Sequence, residues 1–170
     1  MERLILFVCT GNIFRSLVAE YAVRAQLGSQ NPYRIGSAGI EAKPQAIHPL
    51  IRSSLVQKGA DPSAHVQHKL TQEMVERAEL IIAMGQDHRQ VIQQQFGRMA
   101  PLFDEVSFGR ETPILDLHEA LPDWEREPER ARDYVLSIIE HIWNAAPEFV
   151  ARLPHFLRAE GPQASVSVQS

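Results

Sequence analysis

A chain of 170 residues, 44% hydrophobic and 22% charged, has the size and balance of one globular domain with its own core. Its formal net charge of -4 lacks the basic excess of a nucleic-acid binder. A single cysteine excludes an internal disulfide, and the apolar runs are too short for a signal-peptide core or a membrane span, so a reducing cytoplasm is the expected setting.

Leu4–Val8 is apolar throughout and reads as a fully buried parallel strand. Leu17, Val18, Tyr21, Ala22 and Ala25 recur at helical spacing, which predicts a helix from Ser16 to about Leu27 with a stop at Gly28. Tyr33–Ser37 is a short second strand that turns at Gly39. Pro49 opens a helix running to Gly59, Ala60–Ser63 is a turn, and Thr71 caps a short helix. Leu80–Met84 is a third buried strand, broken by Gly85. Gln86–Phe96 is helical, and Ala100–Phe103 is predicted as a fourth strand.

Residues 104–127 lack periodicity and read as one long loop, a length usually tied to function or mobility. From Pro128, the residues Val135, Ile138, Ile139, Ile142 and Ala146 form an apolar helical stripe. A break or kink is expected at Pro147, and a weaker helix interrupted by Pro154 follows. Residues 1–158 are read as one domain and 159–170 as a disordered tail. Strands alternating with helices imply a parallel sheet covered on both faces, with ligands bound beyond the carboxyl ends of its strands.

The first strand runs into Cys9-Thr-Gly-Asn-Ile-Phe-Arg15, and Ser16 opens the helix. A loop that feeds a helix N-terminus offers unpaired amides and the positive end of the helix dipole to a phosphate dianion. Gly11 permits a tight turn, and Asn12 tolerates a left-handed backbone. Arg15 can clamp two phosphate oxygens in a fork. The same positive surroundings favour a thiolate, to which the Ser16 hydroxyl can donate.

The stretch from Val8 to Ser16, followed by Ala19-Glu20, resembles the signature of the low-molecular-weight protein tyrosine phosphatases. Ser37-Ala-Gly39, His65 before Thr71, the Leu80–Met84 strand and Pro122-Asp123 follow in the same order. The resemblance covers roughly residues 3–150. It implies a three-layer α/β fold in which a four-stranded parallel sheet is flanked by helices on both faces, with neither metal nor cofactor.

It also implies a two-step mechanism. Cys9 attacks phosphorus to give a phosphocysteine, and Arg15 with the loop amides of Thr10, Gly11, Asn12, Ile13, Phe14 and Ser16 holds the phosphoryl oxygens. Asp123 protonates the leaving phenol and then activates water, with Asp116 in reserve. Asn12 and Ser37 support the loop, and His65 matches a family histidine near the site. His65 and His68 lie close in sequence without a third ligand, so no metal centre is expected. The implied partners are a phosphotyrosine protein, with a tyrosine kinase of polysaccharide export among them, or a small aryl phosphate; neither nucleic acid nor membrane is expected.

Several positions depart from the family pattern. Phe14 stands where a second cysteine is common, so Cys9 has no partner to protect it from irreversible oxidation. Leu17 replaces a proline. Trp124 replaces the proline after the acid, which loosens that loop and leaves the indole to wall the phenol ring. The Ile40–Lys43 stretch lacks a pocket aromatic, Gly85 replaces an acidic residue and His68 an arginine. Ile13 stands where arginine-phosphate phosphatases resemble threonine, which favours an aryl phosphate. Two alternatives accompany this assignment: a pseudophosphatase that binds phosphotyrosine with little turnover, and an arsenate reductase that draws on an external thiol.

Overall fold

In the computed structural model, which describes residues 3–160, strands β1 (Arg3–Cys9), β2 (Tyr33–Gly39) and β3 (Ala78–Ala83) form a parallel sheet in the order β2-β1-β3. β1 takes the middle because it is apolar on both faces. Ile5 and Phe7 join the core beneath α1 (Arg15–Leu27), α2 (Pro49–Gln57), α5 (Phe103–Phe108) and α7 (Pro128–Glu160). Leu6 and Val8 face the other way, into the core beneath α3 (Gln72–Arg77) and α4 (Gln86–Phe96). The sheet is therefore covered by helices on both sides. Among the described residues, no helix is long and apolar enough to cross a membrane.

The sheet has three strands where four were expected. The segment predicted as a fourth strand contributes one isolated bridge, Ala83 to Leu102, in which Ala83 N–H donates to Pro101 O at 2.9 Å. Pro101 has no N–H to continue a ladder. Leu102 then turns into α5, its own N–H capped by Glu105 Oε1 at 3.2 Å. Nor is residues 104–127 one long loop. It holds most of α5, then α6 (Leu117–Ala120), capped by Asp116, and a 3₁₀ turn at Trp124–Arg126.

The break expected at Pro147 is absent: α7 is one helix of 33 residues that contains both Pro147 and Pro154. Each internal proline costs a helix about 3 kcal/mol through a lost hydrogen bond and ring crowding. Continuing the helix beyond Pro147 buries Phe149, Leu153 and Leu157 in the core on this side of the sheet. Each large apolar side chain so buried contributes roughly 1.5–3 kcal/mol, which offsets the prolines. Phe149 stacks on Phe103 with ring centroids 5.3 Å apart, and Phe7 lies 5.3 Å from the same ring. Of the tail expected from 159 onward, residues 159 and 160 extend this helix, and 161–170 lie outside the described residues.

The register brings the strand ends together at one edge of the molecule. Cys9 pairs with Gly39 and Val8 with Ala83, so β1, β2 and β3 all finish on the side where the 10–14 loop emerges. A Cβ on Gly39 would stand 2.5 Å from Thr10 O and 2.9 Å from Asn12 N. Only a glycine lets the loop cross β2 this closely.

Candidate active site

Cys9 is the last residue of β1 and is buried. Its Sγ lies 2.9 Å from Ser16 Oγ. Ser16 Oγ accepts a hydrogen from Asn12 Nδ2 at 2.9 Å and keeps its own proton, which it can donate to the sulfur.

The loop is held open by Asn12, whose φ of 56° is the one left-handed backbone angle outside glycine among the described residues. An L-residue pays roughly 1–2 kcal/mol for that conformation, and asparagine lowers it by local hydrogen bonds. Here the amide is fully engaged. Nδ2 also donates to Ser37 Oγ at 2.8 Å, and Oδ1 accepts the His68 N–H at 3.0 Å. His65 Nε2 donates to the Asn12 carbonyl at 2.8 Å. The Ser37 hydroxyl donates to Glu20 Oε1 at 2.7 Å, and Glu20 is paired with Arg24 at 2.9 Å. The two residues expected to support the loop, Ser37 and His65, thus touch Asn12 directly.

Arg15 begins α1, with Phe14 at the N-cap and no side chain capping the helix among the described residues. The amides of the first turn remain available to an anion. The guanidinium is 2% exposed and donates through Nη1 to Ile114 O at 2.8 Å. Its Nη2 lies 3.7 Å from Asp116 Oδ2, and Nη1 lies 3.8 Å from Glu119 Oε1. Ile114 is itself tied to the end of β3, its N–H donating to Met84 O at 2.9 Å.

Above the loop opens a cavity of about 660 Å³. Cys9, Thr10, Gly11, Ile13, Phe14 and Arg15 form its floor. Leu50 and Ile51 of α2, Leu117 of α6, Trp124, and Pro128, Ala131 and Val135 of α7 form apolar walls. Trp124 is 37% exposed and presents a flat surface at the mouth. Phe14, in place of a second thiol, adds to the apolar lining.

Asp116 lines the cavity; Asp123 does not. Asp123 is exposed at the N-cap of the 3₁₀ turn, while the chain turns Trp124 and Glu125 inward instead. Asp116 Oδ1 caps α6 by accepting the Leu117 N–H at 2.8 Å, which leaves Oδ2 facing Arg15 and, at 3.2 Å, His118 Nδ1. Sequence reasoning passed over His88, Ile114 and Glu119. His88 occupies the N3 position of α4, where a capping-box side chain reaches back to the N-cap amide. That spacing from Gly85 was the available signal.

Residues 4–106 match the family described as low molecular weight phosphotyrosine protein phosphatase. The chain belongs to that family. The match contains Cys9, Arg15 and the whole loop between them, and ends before the segment that carries Asp116 and Asp123. Low molecular weight protein-tyrosine-phosphatase Etp of Escherichia coli (strain K12) is 29% identical over 162 residues, 88% of this chain and 93% of that one. A protein-arginine-phosphatase of Bacillus subtilis (strain 168) is 35% identical over 101 residues, 55% of this chain; the match spans only 63% of that relative's length. Among solved structures, a YwlE mutant from Bacillus subtilis superposes with a TM-score of 0.74 at 27% identity, covering 89% of this chain and 99% of that one. A low molecular weight protein tyrosine phosphatase from the same species gives 0.71 at 26% identity, covering 89% and 97%. The tyrosine-phosphatase family and the three-stranded sheet observed here are therefore compatible across most of the domain.

Proposed function

We propose that this chain is a cysteine-dependent phosphomonoesterase that hydrolyses aryl phosphates, with phosphotyrosine as the natural class. One observation carries it: Cys9 Sγ, 2.9 Å from Ser16 Oγ, lies on the floor of the same cavity as the buried Arg15. The thiolate attacks phosphorus, forming a P–S bond as the P–O bond to the phenol breaks. Arg15 and the loop amides take the charge of the three phosphoryl oxygens. Water then attacks phosphorus, the P–S bond breaks, and inorganic phosphate leaves as the thiolate returns.

We assign the general acid to Asp116 rather than Asp123. It gives its proton to the leaving phenolate oxygen and, as carboxylate, takes one from water in the second step. Its support is its position in the cavity wall with Oδ2 facing Arg15. Trp124 and the apolar walls suit an aromatic ring, and a serine phosphate is too short to reach a thiol at the cavity floor. The protein substrates include the phosphotyrosines of polysaccharide-export kinases, and the reduced thiol the chemistry needs puts the enzyme in the cytoplasm. This sequence holds one cysteine, so arsenate bound to Cys9 would need a thiol from outside the chain.

The test is turnover of a series of aryl phosphates with different leaving groups by the parent, Cys9→Ser, Asp116→Asn and Asp123→Asn. Cys9→Ser should lose turnover yet bind phosphate. Asp116→Asn should slow the poorest leaving groups most, by about 10²–10⁴-fold, while Asp123→Asn stays near the parent. The reverse order would return the acid to Asp123. Phosphate binding without turnover by the parent would make the chain a binding module.

A further inference from the structure

Behind the phosphate loop lies a histidine that the two-step chemistry leaves unused. His88, in the first turn of α4, is 1% exposed. Its Nδ1 accepts the Gly85 N–H at 3.0 Å, so that nitrogen carries no proton. Burial, and then the Arg15 charge, push its pKa down to about 4 against the opposing pull of Asp87 and Asp116, so the ring is neutral at ordinary pH. The single imidazole proton must therefore sit on Nε2. Nε2 lies 2.8 Å from Thr10 Oγ1 and donates to it.

Thr10 follows Cys9 directly and lines the cavity. Its oxygen already receives the His88 proton, so its own hydrogen cannot point back at the ring. The hydroxyl is left to donate elsewhere, and Thr10 is one of the residues that line the cavity. A free threonine rotor would spread its proton over several directions. Here a buried ring with both nitrogens committed removes that freedom.

We propose that His88 is a positioning residue that fixes the Thr10 hydroxyl as a hydrogen-bond donor to a phosphoryl oxygen of the substrate. This rests on the cavity's being a phosphate site, as argued above. His88 touches no substrate; it acts through the rotamer and proton direction of Thr10. A donor set in advance toward a developing negative charge costs no reorganisation during reaction. The loop amides then have a side-chain partner on the Cys9 side of the site.

The experiment compares Thr10→Val, Thr10→Ser, His88→Phe and the Thr10→Val/His88→Phe double variant, using p-nitrophenyl phosphate turnover, phosphate affinity by calorimetry and thermal melting. Thr10→Val keeps shape and loses the hydroxyl. It should lower kcat/KM roughly ten- to a hundredfold, as expected for a hydrogen bond to a charged group. Thr10→Ser should recover most of the loss. His88→Phe should fall with Thr10→Val, and the double variant should be no worse than either single one. Full activity in Thr10→Val, or a double variant that multiplies the two losses, overturns the proposal.

If His88→Phe does not fold, Thr10→Val against Thr10→Ser decides the hydroxyl. Ring ¹⁵N shifts of the parent's His88 then decide the relay: an Nε2–H tautomer supports it and an Nδ1–H tautomer overturns it. If the parent binds phosphate without turnover, the enzymatic assignment fails alone. The same comparison is then read on phosphate affinity, where Thr10→Val should weaken binding about tenfold. A parent that neither binds nor turns over overturns both.

Discussion

Acidification should destabilise this protein through His88, by an amount the structure allows one to work out. In the native state the ring is neutral, with a pKa lowered from 6.5 to about 4 by burial and the Arg15 charge. In the unfolded chain it titrates near 6.5. Between those values the unfolded state binds more protons than the native one, so stability rises with pH across the window and falls on acidification. The interval between those two values corresponds to about 3 kcal/mol. Relative to neutral pH, the loss should be under about 1 kcal/mol at pH 6, about 2 at pH 5 and about 3 at pH 4. For a domain held by only about 5–15 kcal/mol, the last figure is a large part of the whole.

His141 acts with the opposite sign. Its hydrogen bond to Asp104, 2.7 Å long, raises its pKa. The stability it contributes is complete below 6.5 and is lost as pH rises through the raised value. A parent curve alone therefore mixes the two. The assay is urea unfolding at pH 4, 5, 6 and 7 in phosphate-free buffer, followed by tryptophan fluorescence, on the parent and His88→Asn. Subtracting the curves cancels His141 and the carboxylates. The parent should lose about 3 kcal/mol more than the variant between pH 7 and 4. Parallel curves would refute the reasoning, and so would a His88 ring that titrates near 6.5 by NMR.

Two further outcomes follow from the fold. Gly39→Ala would drive a Cβ to 2.5 Å from Thr10 O and 2.9 Å from Asn12 N, both backbone atoms that cannot yield without moving the loop. Phosphate affinity by calorimetry and aryl phosphatase activity should both collapse while far-ultraviolet dichroism keeps its helical signal. Pro147 is exposed on α7, so Pro147→Ala keeps the core and restores an N–H to the helix; stability by urea unfolding should rise by about 1–3 kcal/mol.

The parts of the site legible in the sequence are those whose causes lie within a few residues of each other. Cys9, Asn12 and Ser16 touch one another within seven positions of sequence, so the contacts of the loop can be read from β1 onward. Ser37 needed a crossing from β2, and the family pattern supplied it. The choice of the carboxylate proposed as general acid is not legible in this way. Asp116 and Asp123 both lie in a segment without hydrophobic period, and the choice between them depends on where that segment folds back. The deciding contacts are Ile114 N–H to Met84 O and Arg15 to Ile114 O, the second spanning 99 positions. Once Ile114 is pinned beside β3, Asp116 is two residues from the guanidinium's carbonyl partner and caps the next helix beside it. Asp123 then falls beyond α6, where the 3₁₀ turn directs Trp124 inward and leaves the carboxylate outside. The prolines teach the same lesson from the other side. Pro101 keeps its segment to a single bridge because a ladder needs its missing N–H, whereas Pro147 fails to end a helix because the apolar face beyond it, Phe149 to Leu157, has the core to pack against. A local rule decides structure where its energy is unopposed, and it yields where tertiary burial exceeds about 3 kcal/mol.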